Sequence, residues 1–163
     1  MRAIAKEGIC TRKAIGASSI VIAGLARNCE GVIGRQIEKI SQAFDHAKFP
    51  QWIIVESDSN DGTAHEARRH CYRYKINLLT LGELADKFPK RTERIAYCGN
   101  AYLSEIRTNS DYSDMDYLVV ADLDGVNDLL FKESLNACWT TNVDWDGCFP
   151  NQLAPYYDIW PAS

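Results

Sequence analysis

No apolar run in the sequence approaches the roughly 18–20 residues needed to cross a bilayer. The longest near the start, Ile20–Leu25, is flanked by Ser19 and Arg27. It is also too short for the core of a secretory leader and lacks a convincing cleavage site. These absences set a cytoplasmic expectation. There is no C-x-x-C pair and no Cys/His cluster; Cys10, Cys29, Cys71, Cys98, Cys138 and Cys148 are spread along the chain. A zinc site or a dense disulfide framework needs partners at close, recurrent spacing. The cysteines therefore read mostly as free, buried thiols acting as small core residues. Positive charge is in short supply, with 18 Lys+Arg against 22 Asp+Glu and a net charge of −4. That balance argues against general nucleic-acid binding. Internal repeats and low-complexity tracts are absent as well.

What remains is 163 residues with 46% hydrophobic and 25% charged side chains, the make-up and length of one globular domain. Residues 1–17 show no clear periodicity and read as an N-terminal arm; organisation starts at Ser18 and runs through residues 18–163. The charge is divided. Residues 1–107 carry 17 Lys+Arg against 12 Asp+Glu, whereas residues 108–163 carry 1 against 10. Between Arg107 and Lys132 no basic residue occurs, yet Asp111, Asp114, Asp116, Asp122, Asp124 and Asp128 all do. A local acidic excess beside a basic half suits a divalent cation with an anionic ligand, although Asp111, Asp114 and Asp116 read as loop residues and caps.

Hydrophobic pattern orders the chain as β-α-β-α-β-α-β-α. Ser19–Leu25 and Trp52–Glu56 are short, β-branched or apolar runs bounded by polar residues, as are Ile76–Leu81 and Tyr117–Ala121. Between the first two, Ile33, Ile37, Ile40, Phe44 and Ala47 fall on one helical face, with Asn28 as the expected cap and Pro50 as the terminator. A polar helix is expected from Thr63 or Ala64 to about Tyr74, another from Thr92 to about Arg107, and a last from Asp128 to Trp139. Gly99 inside the third helix costs about 1 kcal/mol relative to Ala and calls for a packing or functional reason. Strands alternating with helices predict an α/β fold with a mostly parallel sheet and helices on both faces. In such sheets ligands gather at the carboxyl ends of the strands. Three strands end there in polar sequence: Ala26-Arg27-Asn28, Glu56-Ser57-Asp58 and Asp122-Leu123-Asp124.

Asp122-x-Asp124 is the sharpest feature. Alternation along an extended chain puts both carboxylates on one side, where two hard oxygens can meet one Mg²⁺ or Mn²⁺. Gly125 lets the chain turn away. Glu56 ends another apolar strand and is expected to accept from a nucleobase N–H or ribose hydroxyl. Asp61 and Thr63, in the turn that follows, read as helix caps.

Taken together, IVIAGLARN at Ile20–Asn28, IIVESDSNDGT at Ile53–Thr63 and YLVVADLDG at Tyr117–Gly125 resemble the nucleotide-sugar-binding half of a GT-A glycosyltransferase. With LARNCE and the terminal YYDIW, the pattern is similar to the fungal capsule-associated mannosyltransferase family and related bacterial enzymes. The resemblance spans about Ser18–Trp160. It implies a Rossmann-like nucleotide-binding half and hexose transfer from a GDP- or UDP-linked sugar to a saccharide acceptor, with Mn²⁺ or Mg²⁺ as cofactor. It implies further that Ala23, Leu25 and Arg27 line the nucleotide end, that Glu56 contacts the base, that Asp122 reaches ribose or metal, and that Asp124 ligates the metal. Arg94 or Arg91 would add charge-assisted bonds to phosphate or sugar.

Two departures accompany the resemblance. Gly99-Asn100 stands where many relatives have Arg-Asn, which leaves Asn100 as the donor-sugar contact there. The chain also stops at Ser163, where further acceptor-binding sequence is expected, so it reads as a fragment or minimal domain; Asp158 is the only late carboxylate placed among aromatics that offers a catalytic base. Two rival readings stand beside this one. Asp122-Leu123-Asp124-Gly125-Val126 is similar to the nucleophile motif of haloacid-dehalogenase-like phosphatases, which need a later lysine; Lys132 is the only one that follows. The other rival is an inactive nucleotide-sugar-binding or interaction domain, with Trp139, Trp145, Phe149, Tyr156, Tyr157 and Trp160 as partner surface.

Overall fold

The structure, a computed structural model, describes residues 13–141 and 145–149. Four strands, β1 (Ser19–Ala26), β2 (Phe49–Glu56), β3 (Ile76–Thr80) and β4 (Tyr117–Asp122), form one sheet in the order β3-β2-β1-β4. Every neighbouring pair is parallel. The helices α1 (Glu30–Ala43), α2 (Thr63–Tyr74), α3 (Arg91–Thr108) and α4 (Lys132–Thr140) connect or follow the strands. The result is a Rossmann-like α/β fold.

Strand parity divides the core into two layers. Ile20, Ile22, Trp52 and Ile54 point to one face, where Ile33, Ile37 and Ile40 of α1, Ala67 of α2 and Leu135 and Trp139 of α4 cover them. Each fully buried isoleucine there stabilises by about 1.5–3 kcal/mol relative to an exposed one. Val21, Ile53 and Val55 point to the other face, under Cys98, Tyr102 and Ile106 of α3. The helical stripe expected from Ile33 to Ala47 is buried throughout. A 3₁₀ turn at Ile15–Ala17 precedes β1; its Ile15 joins the core, and Lys13 Nζ lies 2.6 Å from Asp116 Oδ2. No helix among the described residues is long and apolar enough to cross a membrane.

Several local expectations are corrected. Pro50 does not end the first unit but lies inside β2, a central strand. It is tolerated because β3 pairs only with Trp52–Glu56, so the missing N–H falls beyond the ladder on that side. Asn28 is not the cap of α1: it sits at φ +49°, and Cys29 occupies the cap position. The last helix begins at Lys132 rather than Asp128, because Asp128 is bound to Arg35 and Gln36 instead. Gly99 has no close neighbour that a methyl group would strike, so no packing reason for it emerges. Cysteine pairing also differs: Cys138 and Cys148 form a disulfide, while Cys29 and Cys98 are buried free thiols and Cys71 is partly buried. Trp145, inside that loop, donates to the Cys138 carbonyl at 2.8 Å and packs with Trp139 around Tyr117. Two of the aromatics expected at a partner surface are thus packed together on the start of β4.

Candidate functional site

At the carboxyl ends of β1, β2 and β4 lies an open cleft of about 200 Å³. Leu25 and Arg27, Ser57 and Asp58, Asp122 and Asp124 form its rim, and Arg91, Arg94, Ile95 and Cys98 of α3 form its far wall. The α3 residues recur at helical spacing, so one face of one helix supplies them. The register places Leu25 beside Asp122 and Ala26 beside Glu56, which brings the three polar strand ends together.

Two loops at this edge are tied to each other. Thr63 Oγ1 accepts from the Cys29 amide at 2.7 Å, and Asp61 accepts from the Glu30 amide at 3.2 Å and from the Thr63 amide at 3.0 Å. Glu30 in turn accepts from the Gly62 amide at 3.0 Å, and Asn28 Oδ1 from the Asn60 amide at 2.9 Å. Free N–H groups at the starts of α1 and α2 are thus satisfied across the two loops rather than each within its own helix. Asp61 and Thr63 act as the capping residues expected of them. The Thr63 hydroxyl is the leading cause that holds the Asp61 carboxyl below its ordinary range.

Asp58 is the most constrained group in the cleft. Its side chain is only 6% exposed. Oδ1 accepts from the Leu84 and Ala85 amides at 2.8 and 2.9 Å. Oδ2 is buried with no hydrogen-bond partner among the described residues and faces Arg94 Nε at 3.7 Å. Burial pushes this carboxyl up, but the two amides, the Ser57 hydroxyl and the Arg94 charge together hold it below its usual value. Arg94 is 14% exposed and donates to the Phe88 and Pro89 carbonyls at 2.7 and 2.9 Å. It is therefore a wall of the cleft rather than a solvated helix-start residue. Arg27 Nε donates to the Asp58 carbonyl at 3.2 Å.

The chain around the two aspartates is fixed from below. Leu123 is buried, with Asp122 and Asp124 exposed on either side of it. A Cβ on Gly24 would meet Leu123 Cδ1 at 2.8 Å, so glycine lets this leucine seat against β1. Gly125 has φ +110°, a conformation that costs other residues about 1–3 kcal/mol. Gln36, fully buried on α1, then holds the loop that follows. Its Oε1 accepts from the Asn127 amide at 3.0 Å and from Asn127 Nδ2 at 2.9 Å, while its Nε2 donates to Asp128 Oδ1 at 2.9 Å. Asn127 Nδ2 also donates to the Asp122 carbonyl at 2.6 Å. Gln36→Leu should lower stability by about 2 kcal/mol, since it strands Asn127 and Asp128. A urea melt of the variant checks this; unchanged stability would show that Gln36 does not hold the loop.

Of the sequence-derived residues, the cleft gathers Leu25, Arg27, Arg91, Arg94, Asp122 and Asp124. Three others lie elsewhere. Ala23 is completely buried in mid-strand, opposite Ile53 and Val120. Glu56 shares the parity of Trp52 and Ile54 and points to the α1/α2 face; its Oε1 accepts from the Ser59 amide at 3.2 Å. Asn100 is exposed on α3, rotated about 200° from Cys98 by two helical steps. Asp158 lies outside the described residues. The residues that sequence reasoning passed over are Ser57, Asp58, Cys98 and Gln36. The signal for Ser57 was the period of two along β2, which makes it follow Ile53 and Val55.

Among the described residues no group of three or more His, Cys, Asp or Glu side chains could hold a metal ion. Asp122 and Asp124 supply two hard oxygen donors at the rim, which fits a Mg²⁺ or Mn²⁺ whose remaining shell comes from ligand phosphates and water. Comparison of the chain with protein-family models, curated proteins and solved structures found no match.

Proposed function

We propose that this domain binds a nucleoside-diphosphate sugar in the cleft and belongs to a hexosyltransferase that passes the sugar to a saccharide acceptor. The single observation that supports it most is the pairing, in one cleft, of a buried acceptor oxygen at Asp58 with two rim carboxylates and three arginines. Asp58 Oδ2 suits the N–H edge of a uracil or guanine. Arg27 and Arg91 suit the negative charge that grows on the leaving diphosphate as the glycosidic bond breaks. Asp122 and Asp124 would hold the metal, which when bound offsets the diphosphate charge as a Lewis acid. Leu25 and Ile95 offer apolar surface against the base. The cleft is small beside the roughly 300–1,000 Å³ of whole-ligand pockets, so it accommodates the base and phosphate end, leaving the sugar toward solvent and the acceptor.

The phosphatase reading has less to stand on. Among the described residues no lysine lines the cleft, and Lys132 lies 2.8 Å from Asp45, an ion pair at the start of α4. Isothermal titration of the chain with UDP and GDP, with and without Mn²⁺, tests the proposal. The expected result is binding of one nucleotide that strengthens at least about tenfold with metal. No binding of either nucleotide with metal present would sink it, and trapping of an acyl-phosphate mimic by BeF₃⁻ would favour the phosphatase.

A further inference from the structure

At the amino ends of the strands, away from the cleft, the surface changes character. Phe49 opens β2 and is 49% exposed. Lys48 Nζ lies 5.3 Å from its ring centroid and Lys75 Nζ 6.0 Å. Lys75 ends α2 at φ +52°, which turns the chain so that its side chain reaches Phe49. The solvent face of α2 carries Arg68, Arg69, Tyr72 and Arg73, all exposed, with Tyr72 at 98%. Between these elements runs a groove of about 340 Å³ whose walls include Ser41, Gln42, Trp52 and Tyr74.

Carboxylates offset only part of this charge. Glu66 lies 2.8 Å from Arg69 and Glu38 lies 3.5 Å from Arg73, while Asp45 at the groove edge is bound to Lys132. The acidic residues from Asp111 to Asp128 flank β4, at the opposite edge of the sheet from β3 and α2. The net charge of −4 therefore hides a polar molecule, cationic at one edge and anionic at the other. Cations spread over two elements, with the exposed rings of Phe49 and Tyr72 among them, match an anionic interface. There amphipathic rings sit at headgroup level, and each nearby Lys or Arg adds attraction within a Debye length.

We infer that the face formed by Lys48, Phe49, Arg68, Tyr72, Arg73 and Lys75 docks the protein on an anionic lipid bilayer. The acidic β4 edge is then repelled from that surface, so the docking is oriented. An acidic peptide seated in the groove would leave Tyr72 and Arg68, which lie outside the groove's lining, without a contact, whereas a bilayer surface reaches them as well. This inference does not depend on the cleft's ligand.

The test is co-sedimentation of the full chain with vesicles of phosphatidylcholine containing about 30% phosphatidylserine, and with phosphatidylcholine alone, at about 0.05 M and about 0.5 M salt. Binding is expected only to the serine-lipid vesicles and only at low salt. Lys48→Gln combined with Lys75→Gln should weaken it about 25-fold, on the basis of about fivefold per cation. Tyr72→Ser should weaken it severalfold, and circular dichroism should show both variants folded, since all three positions are exposed. Equal binding to both vesicle types, no binding to either, or undiminished binding by the double variant would overturn the inference. Binding of poly-glutamate with none to vesicles would overturn it in favour of a protein partner.

Discussion

Asp58→Ala should lower the unfolding free energy by about 3 kcal/mol, more than a typical single substitution. Two losses combine. The Leu84 and Ala85 amides lose a charged acceptor, each such bond contributing about 1.5–3 kcal/mol at most. Arg94, largely buried, keeps its two carbonyls but loses the carboxylate that faces it at 3.7 Å. The backbone bond from the Asp58 amide to the Gly82 carbonyl, at 3.0 Å, remains as the one tether of the connection after β3 at this residue. Asp58→Asn isolates the charge, because Oδ1 can still accept from both amides and a neutral Nδ2 then stands where Oδ2 was. That variant should cost about 1–2 kcal/mol at neutral pH. The sign of its pH dependence follows from the depressed carboxyl. A folded-state value below the unfolded value of about 3.9 gives stability that is complete above about pH 4 and is lost as pH falls through the folded value. The gap between wild type and Asp58→Asn should therefore narrow between pH 7 and pH values well below about 4. Urea melts at both pH values measure it, and a gap that stays constant would show that the Asp58 charge is not what stabilises. The same Asn presents a donor toward the base edge, so nucleotide affinity should fall at least about tenfold if Oδ2 accepts from the base.

The end of β2 shows what the sequence makes legible. The alternation of strands and helices, the four strands and the buried stripe from Ile33 to Phe44 could all be read from apolar periodicity, because each element satisfies its backbone and buries one face in the same way wherever it occurs. The meeting of three polar strand ends followed from the parallel topology alone. Parity was the limit. Glu56 and Ser57 both end β2, and a period of two says that they point to opposite faces. It does not say which face carries α3 and the cleft. That depends on helix placement across the sheet, a long-range outcome that no local pattern records. Which face of α3 meets the strand ends depends likewise on the docking of that helix, so the periodicity that predicts the helix leaves the placement of Asn100 open.

Gln36 and the loop ties belong to a different class. A glutamine in a helix otherwise marked by isoleucines looks like a surface residue, and only the arrival of Asn127 and Asp128 from far along the chain explains its complete burial. The same holds for Asp61 and Glu30, whose bonds run between loops about thirty positions apart. Capping chemistry was readable by residue type, since Asp, Asn and Thr are the residues that satisfy free helix N–H groups. Its partners were not, because two adjacent parallel strands bring the starts of two different helices side by side. The disulfide between Cys138 and Cys148 was missed because a ten-residue separation within an aromatic stretch carries no local pairing signal.

Asp124→Asn should reduce nucleotide affinity in the presence of Mn²⁺ by about 100-fold while leaving the fold intact. The residue is exposed and follows the buried Leu123 that seats the loop. A hard divalent cation held by only two protein carboxylates is sensitive to losing either one, since an amide oxygen is a much weaker ligand than a carboxylate. Asp122→Asn should act in the same direction. Its backbone carbonyl, which accepts from Asn127, is untouched by the change. The decisive feature is a crossing of signs. Without metal, each carboxylate repels the diphosphate, so removing one should leave affinity equal to wild type or raise it. With metal, the order reverses. Titrations of UDP and GDP against wild type and both variants, in chelator and then in Mn²⁺, give all the values required. A variant that loses affinity equally in both conditions would mark Asp124 as a direct nucleotide contact or a structural residue. One that binds like wild type in Mn²⁺ would remove the Asp-x-Asp pair from the metal site altogether.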